Sequence, residues 1–206
     1  MGSNGGSSIK AELIMDPADD IRNLADNFKG MSVVSIREKL DQSRSKLHIA
    51  IENWNHDFNI GSIVRTANAF NVASVSIIGS KRWNKRGAMM TDVYQNINHF
   101  EALNAFCEFV DENHLQVVGI DCLPGISTPL EVARIPEECV MLFGSESNGI
   151  SSEAQNLAKK SSGLILHITQ YGSTRSINAG AAAAVAMYQW SKEYQFGKSE
   201  EEHGHE

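Results

Sequence analysis

The sequence contains no apolar run of the ~18 residues that a membrane span requires, and no signal-peptide pattern opens it. Its three cysteines, Cys107, Cys122 and Cys139, are odd in number and lack the spacing of metal ligands. We therefore expect reduced core thiols in a cytoplasmic protein, rather than a disulfide framework or a metal centre. The 206 residues suffice for one domain with its own hydrophobic core.

The chain also lacks the net positive charge that is typical of proteins that bind nucleic acids, since its net charge is −7. Nine acids and three bases, however, lie in residues 1–20 and 191–206, and removing them leaves 16 acids and 15 bases. Nine of the 18 basic residues fall between Arg37 and Arg86. This local concentration favours phosphate binding, although a solvated charged face is the alternative.

Short branched apolar runs alternate with amphipathic segments along most of the chain. The apolar runs predict strands at residues 47–52, 72–79, 116–120, 138–143 and 164–168. Helical spacing predicts helices at residues 16–29, 35–45, 60–70, 100–113 and 179–194, and one more that starts at the capping box of Ser152 and Gln155. This alternation indicates an α/β fold with a mainly parallel sheet flanked by helices.

No internal repeat divides the sequence, and no domain boundary is evident after residue 46. We expect an N-terminal extension at residues 1–46 that is partly disordered or helical, because its first eight residues are rich in Gly and Ser. One α/β domain then covers residues 47–195, and an acidic tail covers residues 196–206.

Residues 163–190 combine a predicted strand, a polar turn and an alanine-rich helix that Asn178 can cap. This is a common ligand-holding arrangement in α/β proteins, and an ordinary capped helix is the alternative. Ligands of parallel sheets bind at the carboxyl ends of the strands. We therefore expect the site where the loops after Ile120, Phe143 and Ile168 converge.

A second glycine-framed turn, GSESNG at residues 144–149, follows the strand predicted at 138–143. Such a turn lets main-chain N–H groups approach a ligand closely. The glycine spacing differs from that of the dinucleotide-binding fingerprint, so the turn predicts a ligand loop of another kind.

A compact basic loop follows the strand predicted at residues 72–79. Its bases are Lys81, Arg82, Lys85 and Arg86, and they surround Trp83. Cationic side chains bind phosphates, and an unpaired nucleobase of RNA can stack on an indole ring. The loop is therefore predicted to bind RNA, with a plain solvated loop as the alternative.

Three segments together resemble the SpoU (TrmH-like) branch of the SPOUT RNA methyltransferases. They are NIGSIVRTA at residues 59–67, LFGSESNGI at 142–150 and ITQYGSTRSIN at 168–178. Their order matches the family, and with the spacing between them the resemblance covers roughly residues 47–194. The third segment departs from the family, because Ile168-Thr169-Gln170 stands where relatives usually have Ile-Pro-Met, and Ile177 stands where they usually have Leu.

The resemblance implies an α/β trefoil-knot (SPOUT) fold and a homodimer. It also implies S-adenosyl-L-methionine as the methyl donor and the ribose 2′-hydroxyl of tRNA or rRNA as the acceptor. No metal is implied, because the donor already carries an activated methyl group. The chemistry then consists of aligning an in-line displacement and handling the hydroxyl proton.

The family's catalytic role of activating the hydroxyl falls on Arg65. A guanidinium is a poor base because it stays protonated, so Arg65 either acts while bound to an RNA phosphate or only orients and polarises the hydroxyl. The other residues that the resemblance places at the catalytic site are Asn59, Glu146, Ser176 and Asn178. Those that it places at the cofactor are Gly144, Ile168 and Ile177 through their main chain, with Ile120, Leu142 and Gln170 nearby.

Two other functions are compatible with parts of this pattern. A non-catalytic RNA-binding relative is one, although the residues that match the catalytic positions are present. An unrelated nucleotide-binding α/β enzyme would explain the glycine turns but not three motifs in order. The sequence leaves open whether the target is tRNA or rRNA.

Overall fold

The computed structural model describes residues 13–54, 59–145 and 148–196. The chain divides between Ser43 and Arg44 into two compact units. Residues 1–12 and 197–206, which hold the Gly/Ser-rich start and most of the acidic tail, lie outside the described residues.

The first unit contains two single 3₁₀ turns, Pro17–Asp19 and Asp26–Phe28, and one helix, α1 (Val33–Asp41). The predicted helix over residues 16–29 is therefore wrong. Asp20 explains why the chain does not continue as a helix. Its buried carboxylate accepts hydrogen bonds from Arg22 Nη2 at 2.6 Å and from Gly30 N at 2.8 Å. These bonds, with that of the guanidinium foremost, hold the pKa of Asp20 well below its usual range and turn the chain back on itself.

The second unit is built on one seven-stranded sheet. The strands are β1 (Leu47–Asn53), β2 (Ser74–Gly79), β3 (Ile97–Phe100), β4 (Gln116–Ile120), β5 (Thr128–Pro129), β6 (Cys139–Phe143) and β7 (Ile165–His167). Their order is β3-β2-β1-β6-β4-β7-β5, and every pairing is parallel. The predicted parallel α/β sheet is confirmed, and β3 and β5 are additions that sequence reasoning missed.

Helices cover both faces of this sheet. They are α2 (Ile60–Ala69), α3 (Leu103–Glu112), α4 (Ser152–Ser161) and α5 (Ala179–Tyr194). Alternate strand residues point to opposite faces, so Ile49 and Ile51 pack with α2 and α5, while Ala50 packs with α3 and α4. None of the helices in the described residues is long and apolar enough to cross a membrane.

The start of α4 lies one residue before the predicted capping box. Ser151, not Ser152, is the cap, and its hydroxyl accepts a hydrogen bond from Ala154 N at 3.1 Å. Gln155 does not complete a box with Ser152, because its side-chain amide donates to Ile150 O at 3.2 Å.

The three cysteines are free but differ in exposure. Cys139 lies in the core, and burial raises the pKa of its thiol to about 12. Cys107 is half-buried, whereas Cys122 is exposed in the loop after β4. The prediction of three core thiols therefore holds for Cys139 and is wrong for Cys122.

Helix α5 contributes large side chains to the core of its own domain. Trp190 is 2% exposed, and its indole N–H donates to the carbonyl oxygens of Pro136 and Glu137, both at 3.2 Å. Met187 is buried as well. Val185 and Tyr188, by contrast, are large apolar residues of this helix that are exposed.

This burial predicts unequal costs for truncating two aromatic residues of α5. Trp190→Ala should lower the free energy of unfolding by about 3–5 kcal/mol, because it opens a cavity in the core. Tyr188→Ala is the matched control, since Tyr188 is 52% exposed in the single chain; at a dilution that leaves the chain monomeric, we expect a loss below about 1 kcal/mol. Urea unfolding monitored by circular dichroism measures both. Equal losses would contradict the packing of Trp190.

Candidate functional site

A cavity of about 320 Å³ lies at the carboxyl ends of β4, β6 and β7. These strands are neighbours around the centre of the sheet, because β6 and β7 both pair with β4. The cavity therefore lies where the loops after Ile120, Phe143 and Ile168 meet, which is the position that the sequence predicts. Other parts of its wall come from Ser176, Ile177 and the first turns of α5.

The loop after β6 folds back on itself so tightly that only glycine fits at two positions. Ser145 N donates to Gly149 O at 3.1 Å, and Gly149 N donates to Ser145 O at 2.9 Å. A Cβ on Gly144 would lie 1.9 Å from the carbonyl carbon of Gly149. Gly149 has φ +66°, and a Cβ there would lie 2.1 Å from the Asp121 carboxylate. Main chain rather than side chains therefore forms this part of the cavity wall.

Two carboxylates hold the chain as it leaves this loop. Asp121 Oδ2 accepts a hydrogen bond from Ile150 N at 3.0 Å, and Glu52 Oε2 accepts one from Ser151 N at 2.7 Å. Glu52 is only 1% exposed, and its other oxygen accepts from Trp54 Nε1 at 3.1 Å. Sequence reasoning missed both acids. The available signal was an acidic residue at the carboxyl end of an apolar strand.

An amide pair joins the starts of α2 and α5. Asn178 Oδ1 caps α5 by accepting from Gly180 N at 2.9 Å and Ala181 N at 3.2 Å, and its Nδ2 donates to Asn59 Oδ1 at 2.7 Å. Asn59 makes no side-chain cap on its own helix. Its side chain instead contacts Asn178, another candidate for the catalytic site.

The structure brings most of the predicted site residues together. Ile120, Gly144, Ile168, Gln170, Ser176 and Ile177 line the cavity. Arg65 is not among the lining residues, and its side chain is exposed on α2. Glu146 lies outside the described residues.

Leu142 does not line the cavity, contrary to the prediction. It alternates with Met141 and Phe143 along β6 and therefore points to the opposite face of the sheet. There it is fully buried beside Phe106 and Ala154 of α3 and α4. Only its main chain lies next to the glycine loop.

Three polar residues, His167, Thr169 and Gln170, lie at the end of β7 and in the segment that follows it. His167 and Gln170 line the cavity, and His167 Nδ1 and Gln170 Oε1 are buried atoms without a hydrogen-bond partner in the described part of the chain. Thr169, between them, donates its hydroxyl hydrogen to Glu131, and this bond lowers the pKa of Glu131. Both unpaired atoms are also shielded from solvent.

The basic loop after β2 is anchored by Trp83, whereas its charged side chains are exposed. Trp83 packs against the core, and Lys85 Nζ lies 5.5 Å from its ring centroid while pairing with Asp92 at 2.7 Å. The indole therefore supports the loop. Lys81, Arg82 and Arg86 are exposed, as is Lys85. Within the described segments, no three His, Cys, Asp or Glu side chains come together as a metal site would require.

The parallel sheet has a cavity at the carboxyl ends of its strands, and a glycine loop forms part of the cavity wall. This arrangement is typical of α/β domains that bind ligands. Residues 46–188 match the model of the SpoU rRNA methylase family, and the chain belongs to that family.

Several similar proteins are named as RNA methyltransferases. An uncharacterized tRNA/rRNA methyltransferase of Synechocystis is 27% identical over 153 residues, which cover 72% of this chain and 38% of that protein. A Mycoplasma genitalium protein, named as a candidate tRNA (cytidine(34)-2′-O)-methyltransferase, is 26% identical, with 67% of this chain and 85% of that protein covered. The chain spans about two fifths to one half of the length of the first relatives it matches.

The fold also has solved counterparts. The SpoU methyltransferase AviRb from Streptomyces viridochromogenes, in complex with the cofactor AdoMet, aligns with a TM-score of 0.64 and 18% identity. The alignment covers 75% of this chain and 63% of AviRb. The likeness shows a shared fold.

The contacts of Gly144 predict a strong effect of a single methyl group. Gly144→Ala should lower the free energy of unfolding by more than ~2 kcal/mol, because its Cβ would overlap the main chain of the same loop. Gly172→Ala is the matched control, since a Cβ there meets nothing within 4 Å; its effect should stay within ~0.5 kcal/mol. Chemical denaturation of both variants measures the difference, and a neutral Gly144→Ala would contradict the observed loop.

Proposed function

We propose that this protein is an S-adenosyl-L-methionine-dependent methyltransferase that methylates a ribose 2′-hydroxyl of tRNA or rRNA. The observation that carries the proposal is the cavity. Its wall contains both the glycine loop after β6 and the turn around Ser176, which belong to two different motif segments. Membership in the SpoU family and the names of the relatives support the same reaction.

The cavity fits the proposed cofactor in size and chemistry. Its volume of about 320 Å³ lies within the ~300–1,000 Å³ of small-molecule sites. Gly144 and Gly149 leave main chain at the wall, and Asp121, Ser145 and Asn148 are polar residues of its lining. The bound cofactor would supply a methyl group already activated by its sulfonium. AviRb binds AdoMet on the same fold.

In this proposal the protein contributes position and charge. Ser176 lies in the cavity wall, and the Asn59–Asn178 hydrogen bond fixes the start of α2 relative to α5. Arg65, one and a half turns into α2, would bind the RNA near the acceptor ribose and orient and polarise its 2′-hydroxyl. Glu146 belongs to the same proposed constellation through the resemblance of its motif.

The trefoil knot forms part of the proposal. The chain after Glu146 would thread beneath an earlier loop and emerge at α4. The support is the dense packing there, where Asp121 and Glu52 accept from the consecutive N–H groups of Ile150 and Ser151. Such a crossing would hold the cofactor loop without any additional domain.

We also propose a homodimer formed through α5. Ala181, Val185 and Tyr188 lie exposed on one stripe of this helix, and Phe196 makes an edge contact with Tyr188 at 5.5 Å between ring centroids. A two-fold interface would bury these apolar groups. It would also bring the RNA-binding surface of a second chain near the open side of the site.

Removing the guanidinium of Arg65 tests the reaction. Arg65→Ala should lower methyl transfer to RNA by roughly two orders of magnitude or more and leave cofactor binding unchanged, because Arg65 does not line the cavity. Arg134→Ala, at another exposed arginine, serves as the control and should retain activity. Transfer of labelled methyl groups and calorimetry with S-adenosylhomocysteine give the two readouts. Full turnover of Arg65→Ala would remove Arg65 from the mechanism.

The basic loop predicts a change in salt dependence. Replacing Lys81, Arg82, Lys85 and Arg86 by alanine should weaken RNA binding and flatten the log–log salt dependence by roughly 0.7–0.9 per lost phosphate contact. Replacing Lys159 and Lys160 on α4 provides a charge control with little expected change. Fluorescence anisotropy across a salt series measures both slopes. An unchanged slope in the loop variant would leave the loop as a solvated surface.

The proposed dimer predicts dissociation on adding charge to α5. Val185→Glu combined with Tyr188→Glu should yield monomers, because two carboxylates would be buried in the interface. Both positions are exposed, so the fold should persist. Sedimentation at micromolar concentration compares the variant with the wild type. A wild type that sediments as a monomer would contradict the assembly.

A further inference from the structure

A half-exposed tryptophan stands at the carboxyl end of β1, outside the cavity. Trp54 is 47% exposed and is not among the residues that line the cavity. Tryptophan side chains are highly buried on average, and the other two in this chain follow the rule. Trp190 is 2% exposed, and Trp83 is half-buried against the core. Trp54 is therefore the tryptophan whose ring is open to a ligand.

Two contacts on its inner side hold the ring of Trp54. Its Nε1–H donates to Glu52 Oε1 at 3.1 Å, and Glu52 is itself fixed by a bond from Ser151 N at 2.7 Å. The six-membered ring lies against Gly79, where a Cβ would come 2.7 Å from Cε3. Gly79 has φ +101°, so the backbone there also favours glycine. The indole is thus held at one side, while nearly half of its surface stays open to solvent.

The neighbouring residue, Asn53, attaches the basic loop to the same strand end. Ser80 N donates to Asn53 O at 2.9 Å. The side-chain amide of Asn53 donates to Ser80 O at 2.7 Å and to Arg82 O at 3.0 Å. Lys81 and Arg82 lie in this attached segment, and both are exposed. The cationic part of the loop therefore begins beside the fixed indole of Trp54.

The far end of the basic loop reaches the helix that carries Arg65. Gly61, in the first turn of α2, lies so close to the loop that a Cβ would come 2.8 Å from Asn84 O and 2.9 Å from Ala88 N. Arg65 follows four residues later, which places it on the same face of the helix. The basic loop thus connects the strand end that bears Trp54 with the helix that bears Arg65.

We propose that Trp54 stacks on an unpaired nucleobase of the RNA substrate while the basic loop binds the adjoining phosphates. This proposal rests on the proposed function, since it takes RNA as the ligand. Every nucleobase has a π face, and aromatic rings beside cations bind single-stranded RNA without sequence preference. A ring that is already held loses little conformational freedom on binding. Trp54 therefore helps to place an unpaired RNA segment beside the helix that carries Arg65.

Tryptophan fluorescence tests the stacking directly, because a nucleobase that stacks on an indole quenches its emission. The probe is total cellular RNA from cells that lack this protein, which contains both tRNA and rRNA. Trp54→Phe should remove most of the quenching that this RNA causes in the wild type. It should retain most of the affinity, since phenylalanine still offers a ring. Trp83→Phe is the matched control in the basic loop, and it should retain the quenching.

Binding measurements separate the ring from the charges. Trp54→Leu should weaken RNA binding by roughly five- to a hundredfold, the range of stacking on one aromatic side chain. The log–log salt slope should stay unchanged, because no phosphate contact is lost. Inorganic polyphosphate carries phosphate charges without bases, so Trp54→Leu and the wild type should bind it equally.

Quenching by RNA that survives in Trp54→Phe, or wild-type RNA affinity of Trp54→Leu, would overturn the stacking and leave the proposed function standing. Equal losses of RNA and polyphosphate binding in Trp54→Leu would also overturn it, because the tryptophan would then only support the loop. A wild type that neither binds nor methylates the RNA would overturn both proposals.

Discussion

The cavity depends on the close approach of main chain to main chain in the loop after β6. Gly144 and Gly149 have no room for a side chain, and their neighbours Ile150 and Ser151 are left with N–H groups that no strand or helix satisfies. Carboxylates accept those two hydrogens, with N–O distances of 3.0 and 2.7 Å. Hydrogen bonds to a charged group stabilise by about 1.5–3 kcal/mol each. Glycine therefore makes the approach possible, and the two acids determine where the chain leaves.

The buried position of Glu52 follows from the same constraint. An isolated carboxylate inside a protein would be strongly unfavourable, but its two oxygens accept from Ser151 N and Trp54 Nε1. Trp54 in turn packs within 2.7 Å of the place where a Cβ of Gly79 would lie. The ends of β1, β2 and β6 are thus coupled through one acidic side chain.

Features that depend on neighbouring residues could be predicted from the sequence, whereas features that depend on contacts between distant residues could not. The five strands with branched apolar runs were predicted, whereas β3 and β5 were missed because INHF is polar and Thr-Pro is only two residues long. The helix over residues 16–29 failed because a tertiary bond to Asp20 overrode local propensity. The roles of Glu52 and Asp121 rest on contacts with residues 99 and 29 positions away. Local patterns cannot predict such contacts.

The candidate residues divide into a rigid side and an open side. On the rigid side, glycine contacts, carboxylates and the capped start of α5 fix the cavity wall. On the open side, residues 171–178 and Arg65 are exposed, although Ser176 and Ile177 also line the cavity. The described residues form a cavity for a small ligand but do not enclose an acceptor. In the proposed reaction, selectivity for the acceptor would therefore come from groups that approach from outside them, which are the shape of the RNA and, in the proposed homodimer, the surface of a second chain.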